Sequence, residues 1–395
     1  MLRVLVLTSR FPDRLRPNLG NFVERQVLAL AATGRLEIEV IAPIRRAPFP
    51  FSRRSSRALD ALPRQEAWKG LTVHRLRYPD IPLFPSLRPR ALAARLLPLA
   101  KALHNRFPFD VISAEFFWPD GPAAIAVGQA LGVPTIIKAR GMEFEHRARS
   151  SVIRRQLFAA GHAAQALLAV SQDMKRAMVG IGLPADRIAI HYPAVDTDVF
   201  RPGDRAAAKA RLGISGPLLL AVGNLIPVKG HWLAIEALAR LGGATLMIAG
   251  EGPERGALLA RAQRLGVADR LRLPGSLPHR LLPALFTAAD VTLHPSLAEG
   301  FANARLESLA CGTPLVTTPA GDASLIVNRG EAGRIVDADP QAIADAVASL
   351  LARPPLPAAV RACVREFSLT RQATEMEAHL MAAARSRRGG ELARP

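Results

Sequence analysis

The sequence predicts an α/β protein built from two doubly wound domains. Three observations carry that expectation. The 395 residues suffice for two cores of ordinary size. Short apolar runs alternate with helical stretches, the βαβ rhythm of a parallel sheet covered by helices. Each half also opens with an apolar strand that runs into a glycine-bearing loop and a helix, a faint internal repeat. Apolar residues make up 49%, with Ala and Leu dominant, which suits buried parallel strands.

The first domain, residues 1–195, begins with a strand Val4–Thr8 and a loop through Gly20. A helix over Phe22–Ala32 and a strand over Ile38–Ala42 follow. The basic, Pro-rich stretch 45–90 is expected to be a long excursion with little regular structure, leading into a helix over Ala91–Phe107. Strands over Phe109–Ser113, Pro134–Lys138, Ala166–Ser171 and Arg187–His191 complete this half, with a helix over Gly121–Leu131. The second domain, 196–366, opens after Arg201-Pro202-Gly203-Asp204. Its strands are expected near 217–223, 244–249, 270–273, 290–294 and 314–317.

Chemistry concentrates in Glu299-Gly300-Phe301-Ala302-Asn303-Ala304-Arg305-Leu306-Glu307, just after the apolar run Val291-Thr292-Leu293-His294-Pro295-Ser296. The order is strand, loop, helix, which puts Glu299 at the carboxyl end of a strand, where ligands of open α/β sheets bind. The first amides of the helix, those of Phe301, Ala302 and Asn303, form an anion site. Carboxylates repel phosphate, so Glu299 and Glu307 are expected to grip hydroxyls while the amides hold phosphate. A sugar nucleotide carries both groups. Eight helical steps of about 1.5 Å would separate the two Glu positions by roughly 12 Å, more than the ~5–9.5 Å of a glycosidase pair. Either Glu alone reads equally as an exposed helix-face acid; the surrounding strand, turn and downstream Cys311-Gly312-Thr313-Pro314 favour the site.

These residues resemble the E-x7-E segment of family 4 glycosyltransferases. The resemblance covers nearly the whole chain. Leu218–Leu225 with Lys229-Gly230 resembles the family's strand and phosphate loop, and Gly250-Glu251-Gly252-Pro253 its G-x-G-P turn. Val170-Ser171, Val195-Asp196 and Phe200-Arg201-Pro202 resemble the segment joining the domains. Leu5–Pro12 with Gly20-Asn21-Phe22-Val23 resembles the first strand and glycine loop of a subgroup that assembles bacterial surface polysaccharides.

The resemblance implies the GT-B fold, two Rossmann-like domains facing a central cleft. It implies a closing helix over 367–384 that crosses back to the first domain, leaving 385–395 as a disordered tail. It implies transfer of a hexose from a nucleotide-diphosphate sugar, with retention, to a glycan or polyprenyl-linked acceptor. Lys229 would meet the diphosphate, Glu299 the sugar hydroxyls and Glu307 the ribose; on its own a loop Lys is usually just solvated. Asn224 stands where the family often has Arg and contributes a hydrogen bond without charge. Gly20 would let the donor diphosphate approach closely.

Arg140-Gly141-Met142-Glu143 resembles the first domain's H-G-x-D loop. As Arg, position 140 cannot act as a base, but it can clamp phosphate or an acidic acceptor, or simply pair with Glu143 or Glu145. Arg305 is a second candidate for the diphosphate clamp. Pro193-Ala194 stands where Asn-Gly is usual, and Ser324 where an acid is usual. No cofactor and no metal are implied, since no His pair stands at ligand spacing. A sugar-nucleotide epimerase of the same fold remains a rival, as does a non-enzymatic basic protein binding membrane or nucleic acid.

Charge is the other signal. The formal net charge is +19. Between Arg45 and Arg106 stand fourteen Lys or Arg against Asp60, Glu66 and Asp80. Apolar patches, Ala47–Phe51 and Ile81–Pro85, interrupt this region. The mixture suits an anionic membrane face, where each basic residue adds ~1 kcal/mol; a solvated, Arg-biased surface fits nearly as well. With aromatic residues at 5% and no RNA-binding or zinc signature, nucleic acid is not expected as a partner. Two cysteines, Cys311 and Cys363, make no disulfide framework, and no apolar run approaches ~18 residues. A cytoplasmic enzyme, peripheral on the inner membrane face, is the expectation.

Overall fold

The computed structural model describes residues 1–46, 58–80, 83–140, 144 and 147–391. Met1–Tyr192 and the chain from Thr370 onward make one compact unit, and Pro193–Leu369 the other. The division falls three residues before the expected one. Val195 donates its amide to the Phe367 carbonyl at 2.9 Å and bridges to Ser368, which holds that segment in the second unit.

In the first unit eight strands lie in the order Ile188–Ile190, Ala166–Ala169, Thr135–Ala139, Val111–Ala114, Leu2–Leu7, Leu36–Ile41, Leu71–His74, Gln65–Trp68. All neighbours run parallel except Gln65–Trp68 against Leu71–His74. The strand Leu2–Leu7 is buried on both faces, with Val4 and Val6 packing on one side and Leu5 and Leu7 on the other. That two-sided burial is why it reads as a continuous apolar run rather than an alternating one.

The excursion expected over 45–90 is corrected. Leu71–His74 joins the main sheet beside Leu36–Ile41, and Ile44–Arg46 pairs with Arg77–Pro79 in a small second sheet. These strands span only three or four residues, too short to show a period. Arg75, between Leu71–His74 and Arg77–Pro79, is buried and donates to Glu66 and to the Pro12 carbonyl at 2.7 and 2.5 Å. The apolar patch Ala47–Phe51 and residues Ile81 and Pro82 lie outside the described residues.

Gly20 caps the helix Asn21–Ala31 in the left-handed region, with φ 69°. A Cβ there would sit 2.1 Å from the Arg10 carbonyl oxygen. The close approach that Gly20 allows in this structure is to the protein's own backbone.

The helix Leu369–Glu391 buries Ala373, Met376, Leu380 and Ala383 among Val4, Val6, Val23 and Val27. Arg35 grips Glu377 with two hydrogen bonds of 2.6 Å, the bidentate geometry that makes Arg–carboxylate pairs specific. The helix passes Arg385, where a disordered tail was expected, and runs to Glu391; residues 392–395 lie outside the described ones.

The second unit has six parallel strands, ordered Leu271–Gly275, Thr245–Ala249, Leu218–Val222, Val291–His294, Leu315–Thr317, Gly333–Ile335. The five expected strands are present. The sixth, Gly333–Ile335, escapes sequence reading because three residues carry no period. Its Gly333 has φ 138° and would place a Cβ 1.8 Å from the Leu315 carbonyl oxygen.

Candidate active site

The second sheet reverses its winding between Leu218–Val222 and Val291–His294, the switch point where a doubly wound sheet leaves a crevice at its carboxyl edge. A hollow of about 180 Å³ opens there, lined by Val222, Lys229, His231, His294, Ser296, Glu299 and the helix start Ala302-Asn303-Ala304. Whole-ligand pockets run to roughly 300–1,000 Å³, so this hollow fits a part of a sugar nucleotide.

Local backbone chemistry builds it. Leu297 donates to the Val228 carbonyl at 2.8 Å, tying the loop after strand 291–294 to the Lys229 loop. Gly230, with φ 62°, starts the helix His231–Ala239, and a Cβ on it would lie 2.0 Å from the Pro295 carbonyl oxygen. Only glycine allows the two loops to meet this closely. Lys229 Nζ sits 2.5 Å from Glu299 Oε1, and Ser296 Oγ donates to the same oxygen at 2.7 Å. Lys229 and Glu299 therefore stand side by side in this hollow.

The rest of the helix segment differs from expectation. The helix runs Asn303–Ala310, and its cap Ala302 adopts φ 61°, ψ 78°, a strained left-handed conformation for a residue with a Cβ. Of the three residues whose amides were expected at the anion site, Ala302 and Asn303 line the hollow, joined by Ala304. Phe301 lies outside the helix, its ring buried and 6.0 Å from Phe367. Glu307 does not line the hollow: it is buried on the helix, and His279 Nε2 lies 2.9 Å from its Oε1. Asn224 is exposed at its side chain and contributes its carbonyl, 3.2 Å from His231 Nε2. Arg305 is fully buried and donates to the Ala320 and Gly321 carbonyls at 2.6 and 3.2 Å. It braces the loop beside Glu299 instead of serving as a diphosphate clamp.

His231 and His294 were not singled out in the sequence, although each adjoins a residue that was. Both rings are buried, at 3% and 4% exposure. Burial, followed for His294 by the nearby Arg305 and Lys229 charges, holds its imidazole well below the usual range. His231 falls to about 4, chiefly through burial, while its bond to the Asn224 carbonyl opposes the shift. Both are neutral at pH 7.

Arg140 belongs to the first unit, at the end of strand Thr135–Ala139. Its guanidinium donates to Glu115 Oε2 at 2.5 and 3.1 Å and to Gln26, with 4% of the side chain exposed. The partner among the described residues is Glu115; Glu143 and Glu145, the partners weighed from the sequence, lie outside the described residues. Burial alone would raise the Glu115 carboxyl, but the charges of Arg140 and Lys138 hold it below the ordinary range. Lys138, fully buried against Gln26 and His191, is held well below its usual value, first by desolvation and then by Arg140.

Among the described residues no cluster of three or more His, Cys, Asp or Glu could hold a metal ion. The Asp-x-Asp triplets are occupied otherwise: Asp196 accepts from the Asp198 and Val199 amides, and Asp339 caps the helix Pro340–Ala352. Cys311 is buried, which pushes its thiol up to about 12; it packs and does not react. No helix among the described residues is long and apolar enough to cross a membrane.

Two family models match the chain: "Glycosyltransferase Family 4" over residues 19–199 and "Glycosyl transferases group 1" over residues 204–366. D-inositol 3-phosphate glycosyltransferase of Acidothermus cellulolyticus is 34% identical over 332 residues, 76% of this chain and 73% of that protein. The enzyme of that name from Frankia alni is 32% identical, over 65% of this chain and 69% of its own. Among solved structures, Anabaena Alr3699/HepE in complex with UDP superposes with a TM-score of 0.75 at 18% identity, covering 97% of this chain and all of that one. Sucrose-phosphate synthase of Thermosynechococcus elongatus gives 0.74 at 19% identity over the same shares. The fold is of the GT-B class, with two Rossmann-like α/β domains.

Proposed function

Since this chain belongs to glycosyltransferase family 4 and is a nucleotide-sugar-dependent enzyme, we propose that it moves a hexose, with retention, from a UDP-sugar to a hydroxyl of a neutral glycan or lipid-linked acceptor in surface polysaccharide synthesis. The observation that carries the site is the Lys229–Glu299 pair at the switch point, 2.5 Å apart. Donor diphosphate takes the place of Glu299 on the Lys229 ammonium, with the Asn303 and Ala304 amides as further donors. The freed Glu299 carboxylate then accepts from sugar hydroxyls. As the bond from the anomeric carbon to the phosphate oxygen breaks, Lys229 stabilises the charge gathering on the diphosphate. The acceptor oxygen bonds to the same face of that carbon, and its proton passes to the leaving phosphate.

UDP as the carrier rests on the Anabaena neighbour, solved with UDP and with UDP-glucose. The similar enzymes are named for an inositol phosphate acceptor. In this chain Arg140, the cation expected to meet an acidic acceptor, is neutralised by Glu115, which supports a neutral acceptor. A direct check incubates the protein with radiolabelled UDP-glucose, with and without a panel of glycans, polyprenyl-linked sugars and inositol 3-phosphate. Label should move only when a neutral acceptor is present. Conversion of the donor without an acceptor would indicate the epimerase instead.

The second part of the proposal is peripheral attachment to an anionic membrane. Leu83 and Phe84 are 70% and 57% exposed, just before the helix Arg88–Arg106. Gln156 of the helix Ser151–Ala163 donates to the Ser86 carbonyl at 2.8 Å, which brings that helix beside them. Neither helix contains Asp or Glu, and together they carry Arg88, Arg90, Arg95, Lys101, Arg106, Arg154 and Arg155. Arg88 is paired with Asp80 and Arg106 with Glu39; the other cations, beside the apolar tips, match an anionic interface. The protein should float with phosphatidylglycerol vesicles at low salt and release at high salt as screening grows, and Phe84→Ser should weaken the attachment. Protein that stays at the bottom of the gradient at low salt ends this part.

A further inference from the structure

His231 and His294 line the hollow, and each carries a buried ring nitrogen, Nδ1 of His231 and Nε2 of His294, without a hydrogen-bond partner among the described residues. Leaving such an atom unpaired is unfavourable, because it has given up water without gaining a partner. For His231 the chemistry of the missing partner can be deduced. Its Nε2 faces the Asn224 carbonyl at 3.2 Å, and a carbonyl only accepts, so the ring proton is on Nε2. With the ring neutral, Nδ1 is then a bare acceptor. A phosphate oxygen has no proton to give it, whereas a hydroxyl does. The Lys229 stem and His231 Nε2 both lie within 3.8 Å of the place a Gly223 Cβ would take, and the Lys229 charge is near enough to lower the His231 titration.

We propose that His231 is a sugar-specificity residue: its Nδ1 accepts a hydrogen bond from a hydroxyl of the transferred sugar, while the nucleotide diphosphate makes no bond to it. His294, with its own bare nitrogen, lies in the same subsite. This assignment rests on the donor reading above and deepens it.

The test exploits the two ring nitrogens. In His231→Gln the amide can keep the donation to the Asn224 carbonyl but offers nothing at the Nδ1 position. His231→Asn keeps an acceptor near Nδ1 and gives up the donation. Binding of UDP, UDP-glucose, GDP and GDP-mannose is measured by calorimetry for wild type and both variants. For whichever sugar nucleotide the wild type takes, His231→Gln should raise the dissociation constant about tenfold and leave that of the matching diphosphate within about twofold. His231→Asn should retain more of the sugar preference than His231→Gln. Equal weakening of diphosphate and sugar nucleotide in His231→Gln overturns the assignment, as does sugar-nucleotide binding equal to wild type. Wild-type protein that binds none of the four probes overturns the donor reading and this inference together.

Discussion

Lys229→Ala protein is expected to transfer sugar about 10²–10³-fold more slowly than wild type at saturating donor, while keeping its circular dichroism and unfolding midpoint nearly unchanged. The magnitude is that of removing one preorganised electrostatic group aimed at charge that develops in the transition state. Stability should hold because the Lys229 side chain is partly exposed and its partner Glu299 keeps the Ser296 hydroxyl at 2.7 Å. Lys229→Arg should recover only part of the rate, since the planar guanidinium presents its charge differently from an ammonium. The informative number is kcat, measured by release of nucleotide diphosphate under single-turnover conditions. A rate within tenfold of wild type would mean that the diphosphate draws its stabilisation from elsewhere.

Glu115→Ala is expected to destabilise the protein by about 3–5 kcal/mol, the range for removing one partner of a buried ion pair. Glu115 is 1% exposed and is the carboxylate that Arg140 and Ser113 both reach, with Lys138 close enough to shift its titration. Without it, the Arg140 guanidinium is left buried without its carboxylate. Urea unfolding followed by tryptophan fluorescence should show the midpoint falling steeply. The double variant Glu115→Ala with Arg140→Met should recover much of the loss, because it removes the stranded charge along with its partner. A single variant less than about 1 kcal/mol below wild type would show that water reaches the network and solvates it.

These two expectations also mark what was legible in advance. Glu299 was found from order, strand then loop then helix, whereas Lys229 was singled out by the resemblance of its loop to the family's phosphate loop. The strands around them are long, apolar and buried on both faces, so their signal is strong. Arg140 was visible as a cation at a strand end, but its partner was assigned to neighbours in sequence. Glu115, 25 residues away, is brought to it by the pairing of Val111–Ala114 with Thr135–Ala139. The strands over 65–79 were missed because they are short. Glu307 had a recognisable position, yet its engagement by His279 depends on how the loop at 279–281 packs over the helix.

By itself the sequence determined the α/β class, the two doubly wound sheets, the family and the two loops that carry Lys229 and Glu299. Each of these follows from local periodicity or from residues close together along the chain. Tertiary structure decided which polar groups are already satisfied. It neutralised Arg140 and enclosed Arg305, turned Glu307 toward His279, and left His231 and His294 buried with bare nitrogens. The physical reason is that desolvation and hydrogen-bond completion depend on atoms contributed by distant strands, and no spacing within one segment encodes which of them will arrive.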